Sequence, residues 1–311
     1  MTLAILCSGQ GLQGPGMFAL TDDTPEAAGL FAHAASLLGG CDPREMVRSA
    51  ADPVLHQNRI GQILCTVQTV AAMAALRDAW PRRLIVAGYS VGEVAAWSVA
   101  GLVDAAVTLD LVARRAEAMD AASAVGEGLL FVRGLARDTV DRLCKRHDAA
   151  VAIVNPDDAY ILGGLGEALD ALAEEARRMG AVRVIRVAVN VASHTPRLAA
   201  ASVAFRNVLN EAPIKHRPAT GVRFFSGIDG SAVLDVPRGL DKLAEQISHP
   251  VLWAACLEGC VEAGASSFLE LGPGQGLARM AASAYPHIPA RSLEDFRTLQ
   301  GVRTWLSRSA A

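Results

Sequence analysis

Short apolar runs alternate with longer segments of helical periodicity along most of the chain. Four of these runs, each beside a glycine-containing turn, have the length and composition of strands: 2–7, 84–87, 222–225 and 268–271. Alanine-rich segments with the helical period lie between them: 62–77, 93–100 and 105–121. Strands that alternate with helices favour an α/β fold, in which helices cover both faces of a parallel sheet.

The middle of the chain has a different order of elements. A strand, an amphipathic helix, two strands around a turn at 155–158, a second helix and a last strand follow one another: 128–132, 137–146, 150–154, 159–162, 168–179 and 181–189. This β-α-β-β-α-β order is that of the ferredoxin-like unit. We therefore predict a large α/β domain formed by 1–125 and 191–311, with a ferredoxin-like subdomain, 126–190, inserted in it.

Composition and charge exclude some classes of function. Of 311 residues, 51% are hydrophobic and 20% are charged, and the net charge is −3. The basic residues are scattered, so the chain lacks the basic stripe of a nucleic-acid-binding protein. The longest uncharged stretch, 60–76, has 17 residues, whereas a membrane span needs about 20 mostly apolar ones. Because the first strand has no basic leader, we expect a cytoplasmic protein with neither a nucleic-acid nor a membrane partner.

The six cysteines are spread along the chain. Cys256 and Cys260 are four residues apart, a spacing that puts both on one face of a helix, but no CxxC pair or histidine pattern accompanies them. We expect buried thiols that pack as small hydrophobic groups, and no metal site.

The pentapeptide Gly88-Tyr89-Ser90-Val91-Gly92 lies between a predicted strand and a predicted helix. In a G-x-S-x-G elbow, the serine occupies a tight strand-to-helix turn, and the glycines avoid side chains that would collide there. The hydroxyl is then presented above the sheet edge, as in a hydrolase-like α/β core, and the start of the helix favours developing negative charge. Ser90 is therefore the candidate nucleophile.

A glycine-rich loop, Gly9-Gln10-Gly11-Leu12-Gln13-Gly14, follows the first strand. It matches the G-x-G-x-x-G pattern of dinucleotide sites, but such a site needs a helix starting in the loop and an acidic residue after a second strand. Here Pro15 and Gly16 follow at once, and no clear second strand precedes residue 41. We expect no nicotinamide cofactor. Since adjacent parallel strands bring their C-terminal loops together, N–H groups of this loop can approach an oxyanion beside Ser90.

An arginine and a histidine are further candidates that spacing alone does not select. Arg115 follows Ser90 by 25 residues on a predicted helix, beside an apolar stripe where arginine side chains are usually solvated. A serine nucleophile needs a base that titrates near neutrality, which histidine supplies. Of the seven histidines, His194 lies where the inserted subdomain returns to the large domain, a junction at which clefts form.

Five motifs occur in a fixed order over nearly the whole chain: Gly9-Gln10-Gly11-Leu12-Gln13, Gly88-Tyr89-Ser90-Val91-Gly92-Glu93, Arg115, Ser193-His194 and Glu270-Leu271-Gly272-Pro273-Gly274. In order and spacing they resemble the malonyl-CoA:acyl carrier protein transacylases and the related acyltransferase domains of fatty-acid and polyketide synthases. The resemblance selects His194 among the histidines.

This resemblance implies transfer of a malonyl group from malonyl-CoA, a CoA thioester, to the phosphopantetheine-type thiol of an acyl carrier protein. His194 would take the proton of Ser90, and the backbone amides of Gln10 and Val91 would hold the oxyanion. Arg115 would pair with the malonyl carboxylate. No bound cofactor and no metal are implied.

Two further expectations come from the resemblance. Gln62 matches a glutamine that lines the same cleft. A backbone carbonyl, rather than an aspartate, orients the histidine in this family, and here we expect that carbonyl from 249–253.

The chain also departs from the family pattern. Tyr89 replaces the usual histidine before the serine, which removes a polar contact near the pocket. Ser193 before His194 fits malonyl as well as branched acyl groups, so the acyl group stays open. These departures also resemble the epsilon subunit of malonate decarboxylase, which moves malonyl onto a dedicated carrier, and the sequence does not separate the two roles.

Two other classes of function remain as alternatives. An ordinary serine hydrolase shares the elbow, but it usually places an acidic residue and then its histidine late in the chain, whereas 117 residues follow His194. A non-catalytic scaffold would need no reactive serine.

Overall fold

Two five-stranded β-sheets form the framework of the molecule, for which the computed structural model describes residues 2–310. The strands are β1 (Leu3–Cys7), β2 (Leu84–Gly88), β3 (Glu127–Arg133), β4 (Ala150–Asn155), β5 (Ala159–Leu165), β6 (Arg183–Val187), β7 (Val222–Phe225), β8 (Val251–Leu252), β9 (Ser267–Leu271) and β10 (Ala290–Ser292). The first sheet has the order β10-β9-β1-β2-β7, and the second has the order β6-β3-β5-β4-β8.

Helices cover and connect the two sheets. They are α1 (Pro25–Leu37), α2 (Pro43–Ser49), α3 (Asp52–Leu55), α4 (Asn58–Ala75), α5 (Gly92–Val99), α6 (Ala105–Ala122), α7 (Arg137–Arg146), α8 (Gly166–Arg178), α9 (Ala199–Glu211), α10 (Val236–Glu245), α11 (Trp253–Glu262), α12 (Gly276–Ala284) and α13 (Leu299–Ala310). Short 3-10 helices lie at Arg77–Ala79, Pro196–Leu198 and Leu293–Asp295. Within residues 2–310, no helix has the length and apolar character that crossing a membrane requires.

The first sheet is parallel throughout, as the alternation of strands and helices predicts. β1 lies at its centre and pairs with β2 and β9, so that Cys7 is opposite both Gly88 and Leu271. Every residue of these three strands is buried, which is why β1 and β2 occur in the sequence as continuous apolar runs. The loops that follow them meet at one edge of the sheet. Three of the five motifs, those at 9–13, 88–93 and 270–274, lie at this edge.

The second sheet contains the predicted ferredoxin-like order of elements. Its strands β3, β4, β5 and β6 are antiparallel neighbours. β8 joins β4 in parallel, with Ile153 opposite Val251; this strand was not predicted, because two residues are too few to show an alternating pattern. The α/β fold class with a ferredoxin-like unit is confirmed, while the domain boundaries at 126 and 190 stay predictions.

Alternating residues of β3 belong to two hydrophobic cores. Leu130 and Val132 pack in the smaller core beneath α7 and α8, whereas Leu129 packs in the main core of the large domain. Successive side chains of a strand point to opposite faces. One face of the second sheet is therefore turned towards the large domain, with Ile153 and Ile161 beside Leu129 in the main core.

The two closely spaced cysteines lie on α11. Cys256 and Cys260 are both buried free thiols, as predicted. Burial raises the pKa of Cys260 to about 12, so this thiol stays protonated and packs as a small hydrophobic group.

Candidate active site

Ser90 occupies a strained turn between β2 and α5. Its φ is +56°, a left-handed conformation that costs a non-glycine residue energy and often marks a functional position. The flanking glycines are required sterically. A Cβ on Gly88 would lie 2.3 Å from the Cα of Glu93, and a Cβ on Gly92 would lie 2.1 Å from the carbonyl oxygen of Cys7. The strand–turn–helix context predicted for the elbow is thus present.

The imidazole of His194 lies beside the serine hydroxyl. Its Nε2 is 2.7 Å from Ser90 Oγ, and its Nδ1 is 2.6 Å from the carbonyl oxygen of Gln246. A carbonyl oxygen only accepts, so Nδ1 carries the hydrogen and Nε2 is left to accept the hydroxyl proton. The backbone N–H of His194 donates to the carbonyl of Ile247 at 2.8 Å. Two consecutive carbonyls therefore fix this residue.

The carbonyl that orients His194 was expected from 249–253, and that expectation is wrong. Gln246 is the C-cap residue, directly after the last residue of α10. The last carbonyls of a helix have no partner within the helix, so one is available to His194. The segment that we expected to supply it is instead occupied by β8, which pairs with β4.

Burial and charge keep the imidazole neutral. His194 is fully buried, and burial, with a smaller contribution from the Arg115 charge, lowers its pKa to about 3 against the opposing effect of the Gln246 hydrogen bond. At neutral pH the ring is uncharged. Its free Nε2 lone pair can therefore take a proton from Ser90.

The N–H groups of Gln10 and Val91 are free to bind an anion. Neither donates a hydrogen bond to another group within residues 2–310. The loop of Gln10 packs directly on the elbow, since a Cβ on Gly9 would lie 2.8 Å from the carbonyl oxygen of Tyr89. The first helix after this loop begins only at Pro25, so the loop lacks the helix start of a dinucleotide site.

Arg115 lies on α6 with its guanidinium fully buried. Its Nη1 donates to Gln62 Oε1 at 2.6 Å, while its Nε and Nη2 have no hydrogen-bond partner in the described structure. Burial lowers its pKa to about 10, which leaves it charged at neutral pH. Buried charges normally have partners, so the two open donors on this planar cation suit a carboxylate ligand.

A chain of side-chain amides behind Arg115 fixes its orientation. Gln62 Nε2 donates to Asn58 Oδ1 at 2.7 Å, and Asn58 Nδ2 donates to Asp120 Oδ1 at 2.8 Å. Asp120 and Asn58 therefore turn the Gln62 oxygen towards Arg115. Sequence reasoning missed Asn58, although its spacing of four residues from Gln62 places both on one face of α4.

One cavity of about 120 Å³ lies between the two sheets and brings the predicted residues together. Gln10, Gln62, Ser90, Arg115 and His194 line it, and Val91 follows directly on Ser90. The rest of the wall is mainly apolar and comes largely from the second sheet: Met119, Leu129, Ile153, Ile161, Val187 and Val189, with Tyr89 and Ser193. The cavity thus brings together a serine hydroxyl beside an imidazole, a fixed cation and a mainly apolar wall.

Tyr89 forms part of the same wall. Its ring packs edge-on against Trp253, with the centroids 5.3 Å apart. Burial raises the pKa of its phenol, against a smaller opposing effect of a hydrogen bond with Asn155. This phenol therefore stays protonated at neutral pH.

Comparison with known protein families matches residues 5–287 to the family described as the acyl transferase domain. Polyketide synthase GfsB of Streptomyces halstedii is 32% identical over 288 residues, which are 90% of this chain but 5% of that protein. The malonyl CoA-acyl carrier protein transacylase of Mycobacterium bovis is 28% identical over 296 residues, which are 94% of this chain and 96% of that protein. The chain therefore spans a small part of the synthase and nearly all of the transacylase.

Solved structures agree with the fold over its full length. The acyl-carrier-protein S-malonyltransferase of Burkholderia pseudomallei is 26% identical and matches with a TM-score of 0.88, covering 99% of this chain and 100% of that one. MCAT of Mycobacterium tuberculosis, also 26% identical, matches with a TM-score of 0.87 over 100% of both chains. With its family match over residues 5–287 and this shared fold, the chain belongs to the acyl transferase domain family.

Proposed function

We propose that this chain transfers a malonyl group from malonyl-CoA to the thiol of an acyl carrier protein through an ester on Ser90. The observation that carries the proposal is one cavity in which the Ser90–His194 pair and the two open donors of Arg115 meet. The malonyl transacylase names of the relatives support the same donor and acceptor. We place the reaction in the cytoplasm.

Acylation begins at the 2.7 Å contact between Ser90 and His194. His194 Nε2 takes the hydroxyl proton while Ser90 Oγ attacks the thioester carbonyl carbon. The N–H groups of Gln10 and Val91 stabilise the oxyanion. When the tetrahedral intermediate collapses, the C–S bond breaks and the CoA thiolate takes the proton from His194.

Transfer to the carrier reverses these steps with a new thiol. His194 takes the thiol proton, the carrier thiolate attacks the ester carbonyl, and Ser90 Oγ leaves and regains the proton. A thiol has a pKa of about 8.5 and bulk water one of about 15.7. Burial and the nearby Arg115 charge lower the pKa of His194 to about 3, and no carboxylate orients the ring to offset this. His194 is therefore a weak base, which favours the thiol over water. This preference supports a transferase over a hydrolase.

The test is to mix the protein with malonyl-CoA and measure its intact mass before and after adding a carrier protein. We expect a malonyl adduct that peptide mapping locates at Ser90, that survives in buffer for many turnover times, and that disappears when carrier thiol is added. Rapid loss of the adduct in buffer alone would favour the hydrolase, and no adduct at all would favour a scaffold.

The same assay separates the roles and acyl groups that the sequence left open. The rate at which the malonyl group leaves Ser90 can be compared for two carriers at equal concentrations: the carrier of fatty-acid synthesis and the dedicated carrier of malonate decarboxylase. Loading with methylmalonyl-CoA in place of malonyl-CoA shows whether the cavity accepts a branched acyl group.

The rate of acylation is expected to stay level as the pH falls from about 8 to about 5, where an unperturbed histidine, with a pKa of about 6.5, would be mostly protonated. The reason is that the pKa of His194 is lowered to about 3, so the base remains neutral over this range. Rapid-quench measurement of Ser90 ester formation checks this, with return to neutral pH as the control for denaturation. A rate that halves near pH 6.5 would contradict it.

A further inference from the structure

Glu93 is a fully buried carboxylate in the first turn of α5, three residues after Ser90. Its Oε2 accepts from the backbone N–H of Gly227 at 2.7 Å and from the side-chain amide of Gln246. Its Oε1 accepts from Ser226 Oγ at 3.1 Å. These partners are all neutral. Burial raises the pKa of Glu93 to about 7, so its ionised form is costly at this position. We therefore look for a role of this side chain beyond packing.

The contact with Gln246 connects Glu93 to the catalytic histidine. The carbonyl of Gln246 accepts from His194 Nδ1, and the next carbonyl, of Ile247, accepts from the His194 backbone. The side chain of Gln246 is bound to Glu93. Glu93 thus joins the helix that begins at the Ser90 elbow to the short segment that holds His194 from two sides.

The packing around this contact leaves little freedom. A Cβ on Gly227 would lie 2.6 Å from Glu93 Oε2 and 2.9 Å from Gln246 Nε2. The carbonyl of Gly227 in turn accepts from the N–H of Leu252 at 2.8 Å, which ties the same cluster to β8. The carboxylate is therefore enclosed by Ser226, Gly227 and Gln246, and β8 holds Gly227 in place.

We propose that Glu93 is a positioning residue, which sets the distance between Ser90 Oγ and His194 Nε2 by holding the Gln246–Ile247 carbonyls against α5. The inference rests on the proposed function, in which His194 is the base. The geometry needs an acceptor at Oε2 and not a negative charge. An amide at residue 93 meets this need, because its oxygen can take the two Oε2 contacts and its NH2 can donate to Ser226 Oγ.

The test compares Glu93→Met, which removes the acceptor, with Glu93→Gln, which keeps it. We expect the acylation rate per active site to fall about 100-fold in Glu93→Met, the effect that a misplacement of about 1 Å has on catalysis. The KM for malonyl-CoA should change little, since Arg115 is untouched. Glu93→Gln should retain most of the wild-type rate. Burst titration counts the active sites, so a loss of folded protein is not mistaken for slow chemistry.

Nitrogen NMR of the histidine side chains gives a second readout. The signature of an Nδ1-protonated His194 should persist in Glu93→Gln and be lost or exchange-broadened in Glu93→Met. Glu127→Met is the matched control, because Glu127 is also buried but contacts Ala124 and Arg197. That variant should lose stability without slowing acylation per site.

A Glu93→Met variant that acylates at the wild-type rate would overturn the proposal. An equal loss in Glu93→Gln would also overturn it, because the charge would then matter more than the acceptor. If Glu93→Met does not fold, Gln246→Leu replaces it; this variant keeps the Gln246 carbonyl and should acylate about 10-fold more slowly, whereas an unchanged rate would overturn the proposal. If the wild type forms no malonyl ester, the proposed function fails instead.

Discussion

Replacing Ser90 or His194 with alanine is expected to lower kcat/KM for malonyl transfer by roughly 10⁴-fold or more in each case. Within residues 2–310, the hydroxyl of Ser90 has one hydrogen-bond partner, His194 Nε2 at 2.7 Å. If the Ser90 hydroxyl or the His194 imidazole is removed, the serine ester cannot form by this mechanism. Because the two residues act as a unit, the double variant should be no slower than the worse single variant.

Steady-state transfer to a carrier protein measures these losses, and intact mass shows whether the ester still forms. Ser36→Ala and His33→Ala are matched controls, since both side chains lie in exposed positions on α1 and bond to groups outside the cavity. Both should transfer malonyl at the wild-type rate. A His194→Ala variant within about tenfold of the wild type would mean that another group takes the serine proton.

The elbow was predictable because its residue pattern is local. Gly88 and Gly92 flank Ser90 within five residues, although only the collision that requires Gly88 arises within the turn, since the one at Gly92 is with Cys7 of the neighbouring strand β1. The strands β1 and β2 are also visible locally, because their burial on both faces leaves continuous apolar runs. Local sequence therefore predicts the candidate nucleophile and the central strands of the sheet that presents it.

The partners of Ser90 were not predictable in the same way. His194 is 104 residues away, and nothing local distinguishes it from the other histidines, so its choice came from the resemblance. The Gln246 carbonyl was missed because every residue has a carbonyl. Its availability depends on where α10 ends, and the expected segment, 249–253, is taken up in part by the unpredicted β8.

Asn58 was missed for a further physical reason. The helix predicted at 62–77 begins four residues earlier, at Asn58. Its N-cap residue, Gln57, makes no side-chain capping hydrogen bond, so the usual serine, threonine or aspartate signal of a helix start is absent. The amide chain that orients Arg115 therefore begins in a turn that the pattern did not assign to a helix.

Replacing Arg115 with alanine is expected to lower kcat/KM for malonyl-CoA by about 10²–10³-fold and to leave acetyl-CoA nearly unaffected. Truncating one partner of a buried charge pair costs about 2–5 kcal/mol, and the Nε and Nη2 of Arg115 are buried donors without a partner in the described structure. Acetyl-CoA has no free carboxylate, so it makes no use of these donors even in the wild type. The preference for malonyl over acetyl should therefore fall by about the same factor as malonyl use.

Competition between the two thioesters for one pool of enzyme measures this preference directly. Arg114→Ala is the matched control, because Arg114 lies on the same helix with 64% of its side chain exposed, and it should not change the preference. Arg115→Lys should be intermediate, since an ammonium group keeps the charge but cannot bind Gln62 and a carboxylate in the planar geometry of a guanidinium. An equal loss for both acyl groups in Arg115→Ala would mean that Arg115 supports the cavity and does not select the carboxylate.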